Sequence, residues 1–178
     1  TISQRIVLTG STLSDQSGYD FWWLILNKEG EQIAEYRPSL PQDERLTSMA
    51  LCSNGGYILG GYSTPREEMG PLNKGLDDFW LIRTDSRGRM IGQNTYGGPD
   101  NERCKDVIEY RKGVFYAIGQ KMNNFSENRR ADKDFWMIKV EEKPNDSIQA
   151  DIFVRAKNYK IDRLVPTRFR AKFNYGDR

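Results

Sequence analysis

Short apolar runs separated by glycine and polar clusters follow one another along most of this chain. Three of these runs open with the same motif, Asp-Phe-Trp, and they are Asp20–Ile25, Asp78–Ile82 and Asp134–Ile138. The i, i+3, i+4 spacing of an amphipathic helix is not sustained anywhere. Gly, Asn and Asp instead break the chain at intervals typical of antiparallel sheets. The pattern therefore predicts an all-β protein made of short strands.

The chain repeats itself, with spacings of 58 and 56 residues between successive Asp-Phe-Trp motifs. A shift of 58 residues superimposes turn glycines, acidic clusters and strand glycines: Gly30 on Gly88, Glu44-Arg45 on Glu102-Arg103, and Gly61 on Gly119. The strands predicted for the second unit are Asp78–Thr84, Met90–Tyr96, Cys104–Tyr110 and Val114–Gln120. Four strands per repeated unit are typical of a β-propeller blade.

We therefore expect a β-propeller-like fold with four-stranded blades, of which about three are visible. Each unit contains one of the tryptophans Trp22, Trp80 and Trp136, and the repeat region spans residues 1–143. A closed ring typically needs about four to eight blades. We expect these units to belong to a larger propeller.

The order of the sub-motifs resembles the repeat of secreted and cell-surface β-propellers that are abundant in Bacteroidota. In this chain the sub-motifs are Asp78–Gly88, Gly97-Gly98, Asp100–Arg103 and Gly55–Ser63, and the resemblance covers roughly residues 5–140. The resemblance implies an extracytoplasmic protein (periplasmic, cell-surface or secreted) of the adhesion, scaffold or secretion-associated type. It is specific for architecture and implies no activity. The first unit departs from it at Pro38–Pro41, and the third unit lacks the glycine turn.

Three polar segments of unequal length join the same pair of strands in each unit, and they are Ser11–Tyr19, Tyr62–Asp77 and Gln120–Lys133. We expect them to emerge on one face, because equivalent loops of a repeated scaffold lie side by side. Variable loops on a fixed scaffold are common binding surfaces. The candidate binding residues are Tyr62, Arg66, Asn123, Asn124, Phe125, Arg129 and Arg130.

The repeat fades after Val140, and residues 144–178 are predicted to be a basic β-rich tail or the start of a following domain. The whole chain carries a net charge of +2, so it gives no case for nucleic acid as a partner. Arg168, Arg170 and Lys172 alternate with apolar residues and predict a strand with a cationic face. That strip is either a solvated strand face or a surface for an acidic partner, such as an anionic envelope polymer.

The chain contains no histidine, which excludes Ser-His-Asp and Cys-His catalysis. Cys52 and Cys104 fit no metal-binding pattern, and they can form a disulfide only if the fold brings them together. We expect no metal and no cofactor. A carbohydrate-active enzyme would need only two carboxylates, and its candidates are Asp43, Glu44, Asp77, Asp78, Asp106 and Glu109.

The residues that recur in each unit are expected to hold the units together. Asp20, Asp78 and Asp134 would cap or bridge strand ends, and the three repeated tryptophans would lie in the core. The alternative is that these indoles are sugar-stacking platforms.

We accordingly expect a non-enzymatic scaffold or recognition propeller that binds protein partners in a bacterial envelope or secreted assembly. A lectin-like propeller that binds a glycan is the first alternative, and a carbohydrate-active enzyme with a carboxylate pair is the second. No apolar stretch approaches the roughly 18 residues of a membrane-spanning helix.

Overall fold

The computed structural model describes residues 4–14, 18–38, 42–65, 76–122 and 133–142, together with the backbone of 155–159. These residues form eleven β-strands and no helix. The strands are β1 (Ile6–Ser14), β2 (Gly18–Leu26), β3 (Gln32–Tyr36), β4 (Asp43–Leu51), β5 (Tyr57–Thr64), β6 (Asp78–Thr84), β7 (Met90–Tyr96), β8 (Asn101–Arg111), β9 (Val114–Met122), β10 (Lys133–Glu141) and β11 (Arg155–Tyr159). The prediction of an all-β protein is confirmed.

The strands form three antiparallel sheets in which sequence neighbours pair with one another. The first sheet has the order β1-β2-β3, the second β4-β5-β6-β7 and the third β11-β10-β9-β8. A unit counted from Asp-Phe-Trp is consequently divided between two sheets. Its first two strands, β6 and β7, belong to the second sheet, and its next two strands, β8 and β9, belong to the third. The sheets do not close into a ring within the described residues, and the β-propeller stays a prediction.

Two equivalent turns show how the repeated sequence directs the chain. Asn27 Oδ1 accepts hydrogen bonds from two backbone N–H groups of its turn, at 3.0 and 2.8 Å. Asp85 Oδ1 makes the same pair of bonds in the next unit, at 2.8 and 2.9 Å. Gly30 and Gly88 follow at φ +87° and +83°, a backbone conformation that favours glycine. The shared turn chemistry explains why these glycines superimpose in the repeat.

Two hydrophobic cores lie between the three sheets. The first core joins Phe21, Trp23 and Ile25 of β2 to Tyr57, Leu59, Trp80 and Ile82 of the second sheet. The second core joins the opposite face of the second sheet, including Phe79 and Leu81, to the third sheet. Strand β6 is therefore buried along its whole length, on both faces.

Strand β11 lies inside the predicted tail of residues 144–178, yet it pairs with β10 of the repeat. The backbone register places Phe135 opposite Tyr159 and Lys139 opposite Arg155. This pairing completes the four strands of the third sheet. The cationic strip of Arg168, Arg170 and Lys172 lies outside the described residues.

Candidate functional site

The Phe and Trp rings of the repeated motif contact one another at both interfaces between sheets, tilted by 35° at the first interface and edge-on at 72° at the second. The ring centroids of Phe21 and Trp80 are 4.4 Å apart, and those of Phe79 and Trp136 are 4.6 Å apart. Because neighbouring side chains on a strand point to opposite faces, each motif directs its Phe to the following sheet and its Trp to the preceding sheet. The stack of sheets consequently has a direction.

A glycine stands opposite the tryptophan in each sheet: Gly10 opposite Trp22, Gly61 opposite Trp80 and Gly119 opposite Trp136. A Cβ added to Gly61 would overlap the carbonyl oxygen of Arg45 and lie 2.6 Å from Phe21 Cζ. A Cβ added to Gly119 would overlap the carbonyl oxygen of Arg103 and lie 2.8 Å from Phe79 Cζ. The missing side chain is what allows the phenylalanine of one sheet to reach the backbone of the next. We call this Phe–Trp–Gly contact the interlock.

The structure places the repeated residues unequally. Trp80 and Trp136 are buried in the two cores, whereas Trp22 is half-buried and donates a 2.7 Å hydrogen bond from Nε1 to Glu35 Oε1. That bond, with a second from Arg37, lowers the pKa of the Glu35 carboxyl. Asp20 and Asp78 are buried, and Asp134 is half-buried.

One end of the sheets, which we call the loop end, is where β1, β5 and β9 finish and β2, β6 and β10 begin. An arginine ties adjacent sheets there at both interfaces. Arg103 of β8 forms an ion pair with the buried Asp77 that precedes β6. Its equivalent in the repeat, Arg45, instead lies over the ring of Tyr19, with Cζ 3.2 Å from the ring centroid.

A buried glutamate organises the loop end of the third sheet. Glu102 is completely buried, accepts a 3.1 Å bond from the N–H of Gly98 and lies 2.8 Å from Lys121 Nζ. Burial alone would lower the pKa of Lys121, but its bonds to the carboxylates of Glu102 and Asp100 outweigh burial and raise that pKa. An added Cβ at Gly97 would overlap Asp78 Oδ1. These contacts explain Gly97 and the acidic cluster of the repeat.

Of the seven candidate binding residues, Tyr62 lies within the described residues. It is half-buried beside Arg103, whose Cζ is 5.0 Å from the centroid of its ring. Arg66, Asn123, Asn124, Phe125, Arg129 and Arg130 lie outside the described residues, in the connections β5–β6 and β9–β10. The described ends of these connections are close together, since Asp77 bonds Arg103 and the neighbouring Glu102 pairs with Lys121 near the end of β9.

The carboxylates considered for catalysis are engaged in structural contacts. Asp43 accepts the N–H of Tyr19, Asp77 bonds Arg103 and Thr64, and Asp106 accepts the hydroxyl of Ser48. Glu109 accepts the N–H groups of Ser53 and Gly113. Burial alone would raise the pKa of Glu109, but these hydrogen bonds outweigh it and lower the pKa. Glu44 and Asp78 are fully buried.

Cys52 and Cys104 are both buried free thiols. Burial is the main cause that raises the pKa of Cys52 to about 11 and that of Cys104 to about 12. Both thiols are therefore protonated at neutral pH and unsuited to nucleophilic chemistry. The described residues contain no group of three or more metal-ligating side chains, and no helix there is long and apolar enough to cross a bilayer.

Sequence reasoning missed the ties at the opposite end of the sheets. Trp23 Nε1 donates to the carbonyl of Gly88 at 2.9 Å, the hydroxyl of Tyr36 donates to the carbonyl of Arg87 at 2.8 Å, and Arg5 donates to that of Ser86 at 2.6 Å. Three donors of the first sheet thus cap one turn of the second. The sequence did contain one indication of these hydrogen bonds, because Trp23 stands where the other units have Leu81 and Met137.

A search against protein-family models gave no match, and no curated protein sequence matches the chain.

Proposed function

We propose that this chain is part of a β-propeller that works as a non-enzymatic recognition scaffold and binds protein partners through its loop end. The observation that carries the proposal is the interlock, which brings a Phe, a Trp and a Gly together at both interfaces. Two interfaces with the same Phe–Trp–Gly contact hold three sheets in a stack, and equivalent connections therefore leave the stack at the same end. A rigid stack with variable connections at one end is suited to recognition.

The chemistry of the two longer connections favours a protein surface as the partner. Residues 66–75 and 123–132 combine arginines, acidic residues, asparagines and Phe125. Arginine and aromatic residues are enriched in the cores of protein–protein interfaces, where they contribute most of the binding energy. The ion pairs of Arg103 with Asp77 and of Lys121 with Glu102 hold described residues near the ends of these connections in place.

The proposed setting is a secreted or envelope-associated bacterial assembly. It is supported by the resemblance of the Asp78–Gly88 and Gly55–Ser63 motifs to the repeats of secreted and cell-surface propellers. The two thiols do not bear on the setting, because they are unpaired and buried in the interior of the stack.

The test compares two triple variants that remove the same amount of positive charge from opposite ends of the sheets. The loop-end variant carries Arg66→Ala, Arg129→Ala and Arg130→Ala. The matched control carries Lys28→Ala, Arg87→Ala and Lys112→Ala, which are exposed residues of the turns at the other end. Partners are captured with the wild-type chain from envelope and secreted fractions, identified by quantitative mass spectrometry, purified and titrated by biolayer interferometry.

We expect the purified partner to bind the loop-end variant at least about tenfold more weakly, a loss of roughly 1.4 kcal/mol, because interface arginines are frequent binding hot spots. The control should bind within about twofold of wild type. Equal losses in both variants would contradict binding at the loop end. Binding to a glycan array that depends on Phe125, without any protein partner, would favour the lectin-like alternative.

A further inference from the structure

We propose that the two outer faces of the three-sheet stack bind one another between copies of this chain, so that Phe135 of one copy packs on Trp22 and Gly10 of the next. The proposal rests on the interlock seen inside the chain and does not depend on the proposed function. It predicts a head-to-tail contact that repeats the two internal interfaces.

The head face is the outer face of the first sheet, formed by Trp22 and Leu24 of β2 and by Leu8 and Gly10 of β1. The strand register pairs Leu8 with Leu24 and Gly10 with Trp22. The same register in the second sheet pairs Leu59 with Ile82 and Gly61 with Trp80. There Leu59, Trp80 and Ile82 are buried in one cluster with residues of β2 that include Phe21, and Phe21 also approaches Gly61. The head face thus has the residues that accept a phenylalanine.

The tail face is the outer face of the third sheet, formed by Phe135, Met137, Ile118, Tyr116 and Ile108. Strand pairing brings Met137 opposite Ile118, and Tyr116 opposite Ile108. Phe135 occupies the position of Phe21 and Phe79, the residues that enter the next sheet. The tail face thus has the residue that is inserted.

Exposure distinguishes the outer faces from the internal ones. Phe21 and Phe79 are both 0% exposed, whereas Phe135 is 36% exposed. On the head face Leu8 is 44% exposed and its neighbour Ile6 is 45% exposed. The same motif is therefore buried where another sheet follows and open where the described residues end. Apolar strand faces of this kind are typical of interaction surfaces.

A second copy is the occupant that fits both faces at once. Each copy offers one accepting face and one inserting face, and the internal interfaces show that these two faces are complementary. The contact is heterologous, because it joins different surfaces of the two copies. Heterologous contacts form a ring when the rotation between copies closes and an open chain when it does not.

The test blocks each face with one substitution. Gly10→Val blocks the head face, where only Trp22 lies within 4 Å of an added Cβ, at 3.9 Å. Phe135→Asp blocks the tail face by placing a charge in the position of the inserted ring. The matched controls are Gly92→Val, at a strand glycine with nothing within 4 Å, and Ile91→Asp, at an exposed residue of β7.

Sedimentation velocity is measured on the full chain up to about 100 μM, since interfaces of this kind span micromolar to picomolar affinity. We expect wild type and both controls to associate, and each blocked variant to be monomeric. A mixture of the two blocked variants should form a 1:1 dimer, because one retains its tail face and the other its head face. Circular dichroism checks that each variant is folded, and Leu8→Lys replaces Gly10→Val if the latter is not.

Three results would overturn the proposal. The first is a wild-type chain that stays monomeric over the whole concentration range. The second is association that neither blocked variant reduces. The third is a mixture of blocked variants that stays monomeric although wild type associates, because a head-to-tail contact must be restored in that mixture.

Discussion

Replacing Gly61 with alanine tests the interlock most directly, because the repeat supplies its own control. Gly10, Gly61 and Gly119 are equivalent in the sequence and all stand opposite a tryptophan. Their surroundings differ: a Cβ at Gly61 would overlap the Arg45 carbonyl oxygen and approach Phe21, whereas a Cβ at Gly10 has Trp22 as its nearest neighbour, at 3.9 Å. The same substitution should therefore have opposite effects at equivalent positions.

The expected magnitude follows from two opposing effects. Alanine in a strand is favoured over glycine by roughly 0.5–1 kcal/mol, because the unfolded chain loses less backbone entropy. Overpacking a tight site costs about 1–3 kcal/mol, and at Gly61 the overlapped atom is a backbone oxygen of the paired strand, which cannot move to another rotamer. The cost at Gly61 is accordingly taken at the upper end, about 3 kcal/mol, and less the propensity gain we expect Gly61→Ala to lower the free energy of unfolding by about 2 kcal/mol and Tm by roughly 4–8 °C. Gly10→Ala should be neutral or slightly stabilising.

Urea unfolding followed by tryptophan fluorescence provides the assay, and it is repeated over a range of chain concentrations so that any contribution of the contact between copies is measured separately. Gly92→Ala, where nothing lies within 4 Å of the added Cβ, controls for strand propensity. The reasoning is refuted if Gly61→Ala unfolds within about 0.5 kcal/mol of wild type, the range of ordinary surface substitutions. It is refuted equally if Gly10→Ala is as destabilising as Gly61→Ala.

Three further predictions concern buried and titratable groups. Burial raises the pKa of Cys52 to about 11 and that of Cys104 to about 12. Both thiols should therefore react with Ellman's reagent at pH 8 only after unfolding. Rapid labelling of the native chain would contradict this. Arg83→Met should lower the free energy of unfolding by about 2 kcal/mol, because the buried guanidinium donates to Tyr57 O at 2.9 Å; a urea midpoint equal to that of wild type would argue against this role. The folded-state pKa of Glu109 is lowered from its ordinary value of 4.5, so its stabilising effect is present above that value and is lost as the pH falls through the folded pKa. Wild type should therefore lose more stability than Glu109→Gln on acidification, and parallel Tm–pH curves would show that the contribution is absent.

Sequence reasoning was most successful where structure depends on local chemistry. Strand β6 was predicted at Asp78–Thr84 and β7 at Met90–Tyr96, and both have these bounds in the structure. The turns at Gly30 and Gly88 were predicted as well, because Asn or Asp followed by glycine specifies a turn within a few residues. Of the candidate binding residues, the structure describes only Tyr62, so the binding prediction still depends on the proposed experiment.

Assignments that depend on distant partners could not be read from the chain. The repeat shows that Glu and Arg recur side by side, but the structure shows that Arg103 pairs with Asp77 of the preceding sheet and Glu102 pairs with Lys121. The thiols of Cys52 and Cys104 are free and buried, although sequence left a disulfide open.

The repeat, the strands of the second unit and the turns that join them can be predicted from the chain alone, since side-chain alternation and turn chemistry act over a few residues. The sequence also showed that Phe79 and Trp80 point to opposite faces of one strand. Three features are visible only in the fold: which sheet lies on each face, the division of a unit between two sheets, and the entry of phenylalanine into the following sheet beside its glycine. Those features depend on contacts between residues about 60 positions apart. They are stabilised by the burial of aromatic rings, which pack closely against the backbone where glycine has no side chain.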